Sequence, residues 1–400
     1  MTNVAMATVC ALSPLLFVTF KNELNISYTL LGFLVVINFC TQLAVDLMFT
    51  FAPSVFNIKT SIRIMPVLTV IGLLVYSFMP MAFPKYAYAW LVIGTVIFSA
   101  SAGLCEVLIS PLVAAIPSDN PERDMSKLHS SYAWGLVGIV IFGALYLGIF
   151  GSKYWNYLGL LFAIIPTVVF IMFLNSPLPD ISIGGNEKGK KPKIFNAGLI
   201  MCFFCIFLGG ATEVTMTQWI SGYIESALGI PKVVGDILGM ALFAVALGLG
   251  RTLYGKFGKN ILNLMIAGMA TSAMCYIVAT LSPNSYVGLV ACVLTGFCSS
   301  MLWPGNVILV GEKFPHVGVA AYALMAAGGD LGSSVAPQIV GVVADVVSEG
   351  GIGKVLSESL GLSAEQIGMR AGLLLAALFP LVGTLLAVIM KIYFKKKSCA

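Results

Sequence analysis

An all-α membrane protein of twelve spanning helices in two six-helix halves is the fold class this sequence predicts, and three observations carry it. Apolar residues make up 59% of the 400 and charged residues only 10%, where a soluble domain carries about a quarter charged residues; mean hydropathy is +0.98. The apolar residues form twelve runs, each of the roughly 17–25 residues that a hydrocarbon core demands. Basic residues fall unevenly between the connecting segments. With both termini in the cytoplasm, sixteen of the 22 Lys and Arg lie at inner ends or loops, and only Lys21, Lys85, Lys153, Lys232, Lys354 and Arg370 lie outside. The excess of Lys and Arg in cytoplasmic loops predicts that orientation.

Taken in order, the runs centre near Leu12, Asn38, Leu74, Ala102, Ile139, Ile165, Phe207, Leu247, Thr271, Thr295, Leu331 and Leu381. The first, Val4 to Phe20, has no basic segment before it and no small-residue cleavage site after it, so a retained span is expected instead of a signal peptide. Between the sixth and seventh runs lies the one long polar inner segment, rich in Pro, Gly and Lys. It reads as a linker, 176–193, joining residues 1–175 to 194–400. The outer loop Val347 to Gly368 is expected to be mostly solvated, with short interfacial helices at Leu356–Leu360 and Ser363–Gln366 as the alternative. The eight cysteines within spans and Cys399 in the tail offer no extracellular disulfide framework, and Cys202-x-x-Cys205, inside an apolar helix, offers no redox or metal site.

Ionisable residues inside spans mark function by default, because an unpaired charge in hydrocarbon is costly. Span four carries Glu106 about 15 Å from the inner end, at midplane depth, and span two carries Asp46 about 24 Å from the outer end, in the inner third. Asn38, Gln42 and Asp46 follow i, i+4, i+8 and share one helical face, as do Asp330, Ser334 and Gln338 in span eleven. Span five opens with Tyr132 and Trp134; span seven gives Glu213, Gln218 and Trp219; span ten gives Trp303 and Asn306 beside the helix-distorting Pro304. These mark Glu106, Glu213 and Asp330 as functional acids facing a polar cavity. They predict solute contacts from Asn38, Gln42, Tyr132, Trp134, Gln218, Trp219, Trp303, Asn306 and Gln338. Rings beside hydrogen-bonding groups suit a polyol; the same set suits an amino acid, a nucleoside or a drug.

Span eight closes as Gly248-Leu-Gly-Arg251-Thr-Leu-Tyr-Gly255-Lys256, which with Asp46 predicts gating contacts at the inner end. Gly250 to Lys256 also fits G-x-x-x-x-G-K, but Phe257 stands where Ser or Thr is required and no strand precedes it, so a nucleotide site is excluded. An enzyme is excluded too: there is no H-E-x-x-H, and the two histidines, His129 and His316, sit at inner ends. Neither a cofactor nor a metal is expected.

The Gly-and-base pattern of span eight resembles the inner-loop motif of the major facilitator superfamily. Gly103-x-x-Glu106-x-x-x-x-Pro111, Leu128-His129, Glu213-x-x-x-x-Gln218-Trp219, Met301-Leu-Trp-Pro304 and Gly329-Asp-Leu-Gly332 with Pro337 and Asp345 are similar to the fucose permease branch, the fucose–galactose–glucose proton symporters. The resemblance implies that Glu106 is the proton-coupling carboxylate of helix four. Span one, Met1 to Phe20, lacks the second acid that the fucose permease carries in helix one, so the resemblance leaves its proton-coupling role to Glu213 or Asp330, or to Glu106 alone. The function it implies is proton-coupled import of a small polar solute, a sugar foremost, by alternating access; a drug or metabolite exporter and an uncoupled uniporter are the alternatives. The partners expected are a small-molecule substrate, protons and the lipid bilayer, with no nucleic acid, and a monomer in the bacterial inner membrane.

Overall fold

The computed structural model describes residues 1–51, 56–114, 116–117, 119, 121–179, 196–257, 260–314 and 319–398. The expected linker 176–193 lies almost wholly outside these residues, as do His316 and the side chain of His129. Among the described residues there is no strand, and twelve helical segments are long and apolar enough to cross a membrane. An even number of crossings returns the C-terminus to the side where the chain begins, the terminal side; the other is the far side.

The first five spans are single helices: α1 (Thr2–Leu24), α2 (Tyr28–Phe51), α3 (Ile58–Ala82), α4 (Ala87–Ala114) and α5 (Pro121–Phe150). Span six is two pieces, α6 (Trp155–Phe162) and α7 (Ile164–Asn175); span seven is α8 (Ala197–Ser226). Span eight opens with the short α9 (Lys232–Gly235), passes through a π-helical turn at Asp236–Ala241 and continues as α10 (Leu242–Phe257). α11 (Ile261–Leu281) is span nine, and α12 (Ser285–Ser299) with α13 (Leu302–Lys313) makes span ten. α14 (Val319–Glu349) is span eleven. A separate α15 (Gly351–Leu360) precedes span twelve, α16 (Ala364–Ala376) and α17 (Leu378–Ser398).

Three spans are split, and each split sits at the same offset from a proline. Pro166, Pro304 and Pro380 have no N–H to give the carbonyls of Phe162, Ser300 and Ala376, four residues earlier. The helices break at Ala163, at Ser300–Met301 and at Ala377. Pro14, Pro66, Pro80 and Pro337 lie inside helices that continue, so proline supplies the weak point and packing decides whether it opens.

Helix ends are closed by short polar side chains. Asn57 accepts from the Thr60 amide at 3.1 Å, Asn196 from that of Gly198 at 2.9 Å, and Asn284 from that of Tyr286 at 2.9 Å, each satisfying a donor that the helix cannot. α1 ends on Asn25 in the left-handed region, φ 53°. The segment 347–368, expected foremost as a solvated loop, takes the helical alternative: it is the end of α14, the amphipathic α15 and the start of α16. Ser363 and Gln366 form a reciprocal capping box there.

Candidate functional site

α2 and α14 run antiparallel and meet along most of their length. Thr29 meets Asp345, Gly32 lies against Pro337 and Gln338, and Asp46 reaches Asp330. From residue 29 to residue 46 is about 26 Å of helix. The two polar stripes, Asn38, Gln42 and Asp46 on α2 and Asp330, Ser334 and Gln338 on α14, lie along this seam, and all but Gln338, which is partly buried, are fully buried. Asn38 accepts from Ser99 of α4 at 2.5 Å and from Gln42 at 3.2 Å, which ties the third helix in.

At the terminal-side end of the seam, one carboxylate oxygen each from Asp46, Glu106 and Asp330 lies within 4.8 Å of the other two. This corrects the depths read from the sequence, which put Glu106 at midplane and Asp46 below it. All three sit on the terminal side of their helix midpoints, in one cluster. The side chain of Pro111, one turn beyond Glu106, lies outside the described residues. Two like charges at such a distance repel by about 3–4 kcal/mol at an effective dielectric of about 20. Three bare charges this close are therefore unfavourable, and protons, a cation or neighbouring donors offset them.

A second buried charge group lies between α8 and α10. Glu213 Oε1 accepts from Arg251 at 2.7 Å, and Arg251 Nε donates to the Ser300 carbonyl at 3.1 Å. That carbonyl is the one Pro304 leaves without a helical donor. The proline in span ten thus makes the acceptor that positions Arg251. Arg251, expected as a gate with Asp46 and Lys256, binds the expected coupling acid Glu213; Lys256 is exposed in the last turn of α10. Tyr132 of α5 lies near this pair and beside Cys10 of α1.

The ring of Trp303 lies against Gly329 and beside Gly210; a Cβ at residue 329 would stand 2.3 Å from the indole. Trp303 thus packs on the residue that precedes Asp330. The remaining expected solute contacts are dispersed. Trp219 is fully buried: its Nε1 donates to the Pro337 carbonyl at 3.0 Å, and its ring meets Phe17 at 5.4 Å and Tyr28 at 5.7 Å between centroids. No face of it is open in this conformation. Asn306 is buried, donating to the Leu302 carbonyl at 2.7 Å. Trp134 is 46% exposed and lies beside Gly248 of α10. Gln218 is buried with its side-chain oxygen unpartnered among the described residues.

The far-side end of the seam is a network that the sequence analysis did not assign. Asp345 accepts from both the Thr29 amide and the Thr29 hydroxyl at 2.6 Å. Tyr28 donates to Glu365 at 2.5 Å, Lys21 pairs with Glu365 at 3.0 Å, and the Lys21 ammonium lies 3.6 Å from the centre of the Tyr28 ring. These groups come from α1, α2, α14 and α16, so no spacing within one helix signals them; the Ser363 cap that fixes Glu365 was the legible trace.

With this geometry the chain belongs to the Major Facilitator Superfamily, whose family model matches residues 1–337. It is a membrane transporter, not an enzyme. Among solved structures it is similar to a bacterial homologue of the human lysosomal transporter Spinster in an inward-facing, occupied conformation, at 13% identity and TM-score 0.75, over 99% of this chain and 96% of that one. It is equally similar to a D-xylose–proton symporter, at 15% identity and TM-score 0.75, over 95% and 94%. The Escherichia coli fucose:proton symporter follows at 14% identity and TM-score 0.61, over 97% of each chain. Identities this low establish the fold alone. No curated protein sequence matches the chain.

Proposed function

We propose that this transporter imports a small polar solute, a sugar foremost, together with a proton, by alternating access in the bacterial inner membrane with both termini cytoplasmic. Residues 1–175 and 194–400 are the two rocking halves, joined by 176–193, and the protein works as a monomer. The observation that carries the reading is the Asp46–Glu106–Asp330 cluster. It joins helices from both halves, so its charge state bears on whether they stay together on the terminal side. Glu106 and Asp330 take the proton there, and Glu213 is a second acid whose charge is answered by Arg251.

Trp303, packed on the residue that precedes Asp330, with Asn38, Gln42 and Gln338 along the seam, is the surface offered to a polyol: an apolar ring for C–H faces and amides for hydroxyls. Trp219 takes another part in this reading, as the plug that shuts the far side. Two of the structurally similar proteins are sugar–proton symporters by their own descriptions, which supports the sugar and proton choice.

The test has two stages. A thermal-shift screen of purified protein against sugars, nucleosides and amino acids identifies the solute, since a ligand of the native state raises its stability. Uptake of that solute into proteoliposomes is then compared with and without an imposed pH gradient. Accumulation only with acid outside is expected. Equilibration without accumulation points to a uniporter, and accumulation on reversing the gradient points to an exporter; either result overturns the proposal.

A further inference from the structure

We propose that the oxygens of Asp46, Glu106, Asp330 and Gln42 form a binding site for a hard cation. Three carboxylate oxygens that all lie within 4.8 Å of one another match the span across an ion holding oxygens at about 2.3–2.6 Å. Asp330 is 1% exposed, and neither of its oxygens has a hydrogen-bond partner among the described residues. Nor does a described Lys or Arg pair with Glu106 or Asp330.

Gln42 provides the independent sign. It is 1% exposed, and its amide nitrogen is committed to Asn38, one turn toward the far side, at 3.2 Å. That leaves its side-chain oxygen, which has no described partner, on the side of Asp46, one turn toward the terminal side. Its backbone lies against Gly103, where a Cβ would stand 3.1 Å from the Gln42 Cα. Gly103 precedes Glu106 by one turn, so a neutral buried acceptor is aimed into the acidic cluster. Such an oxygen left without a donor is costly in a dry site, and a cation satisfies it together with the carboxylates. All four donors are oxygens, which select hard ions such as Na+, Ca2+ or Mg2+ over Zn2+ or Cu+. The ligands come from α2, α4 and α14, so a bound ion would hold the terminal-side end of the seam together. This last consequence rests on the transport reading; the site itself does not.

The site is tested on the purified full-length protein without solute. Thermal stability is followed while NaCl replaces choline chloride at constant ionic strength, and separately while CaCl2 or MgCl2 is added. A saturable rise with at least one of these ions is expected, and which ion gives it identifies the occupant. In Asp330→Asn the apparent affinity should fall by about 10–100-fold or more, the scale on which metal sites respond to loss of a supporting group, whereas Glu349→Gln, at an exposed position, should match the wild type. If Asp330→Asn does not purify folded, Gln42→Leu serves for the same comparison. No stabilisation by any of the three ions, or an unchanged affinity in the folded site variant, overturns the site. Proton-driven uptake in a protein that binds no cation defeats this inference alone; cation binding in a protein that moves no solute defeats the transport reading alone.

Discussion

The two ends of the α2–α14 seam are built on opposite plans. At the far side both acids of the network have donors: Asp345 takes two from Thr29, and Glu365 takes Tyr28 and Lys21. At the terminal side three carboxylates face one another, and Asp330 has no donor among the described residues. The same helices thus carry a hydrogen-bonded latch at one end and, at the other, an acidic cluster in which Asp330 has no described donor. A hydrogen-bonded network favours one arrangement, while packing around clustered carboxylates depends on their charge state. The terminal-side end is therefore where the proposed proton or cation would act.

The largest effect that sharpens this contrast is expected from Glu106→Gln. If the cluster carries the coupling proton, the variant keeps solute exchange in counterflow but loses accumulation against a gradient. Its uptake no longer rises when the exterior is acidified. Counterflow and gradient-driven uptake, measured on equal amounts of folded protein, check this; intact accumulation removes Glu106 from the mechanism.

Trp219→Ala comes next. It deletes a fully buried indole and its bond to the Pro337 carbonyl, and is expected to lower stability by about 3–5 kcal/mol, the range for a buried Trp or Phe. Denaturant unfolding in detergent measures it, and a loss under about 1 kcal/mol would show that the far-side plug does not hold the seam.

Asp345→Ala should cost about 1.5–3 kcal/mol, because two donors of Thr29 lose a charged acceptor. It should also raise the reactivity of a cysteine placed at Thr29 toward an impermeant thiol reagent. Equal reactivity with and without Asp345 would break the latch assignment. Tyr28→Phe removes one hydroxyl from Glu365 and is expected to cost about 1 kcal/mol. Smallest of all is Lys21→Ala, at about 0–1 kcal/mol, since Lys21 and Glu365 are 31% and 43% exposed and solvent screens the pair. A larger loss for Lys21 than for Tyr28 would reverse the ordering of the far-side network.

The sequence by itself determined the span count and the helical faces, because both follow from local rules: run length against hydrocarbon thickness, and polar side chains recurring every four residues. The stripes of α2 and α14 were each legible for that reason, and Pro304 marked one of the split spans. Antiparallel register was not legible: which residue of one stripe meets which of the other depends on where two distant helices cross. Reading depth along single helices separated Asp46 from Glu106, and only the packing of α2 on α4 at Gly103 brought them together. Arg251 presents the same lesson. Its place at the end of a glycine-rich helix pointed to a carbonyl or carboxylate partner without saying which: the carbonyl freed by Pro304 and the carboxylate of Glu213 lie on other helices. Partner choice for a buried charge is a tertiary property, since the cost of desolvation is met by whichever group the fold carries to it, from any distance along the chain.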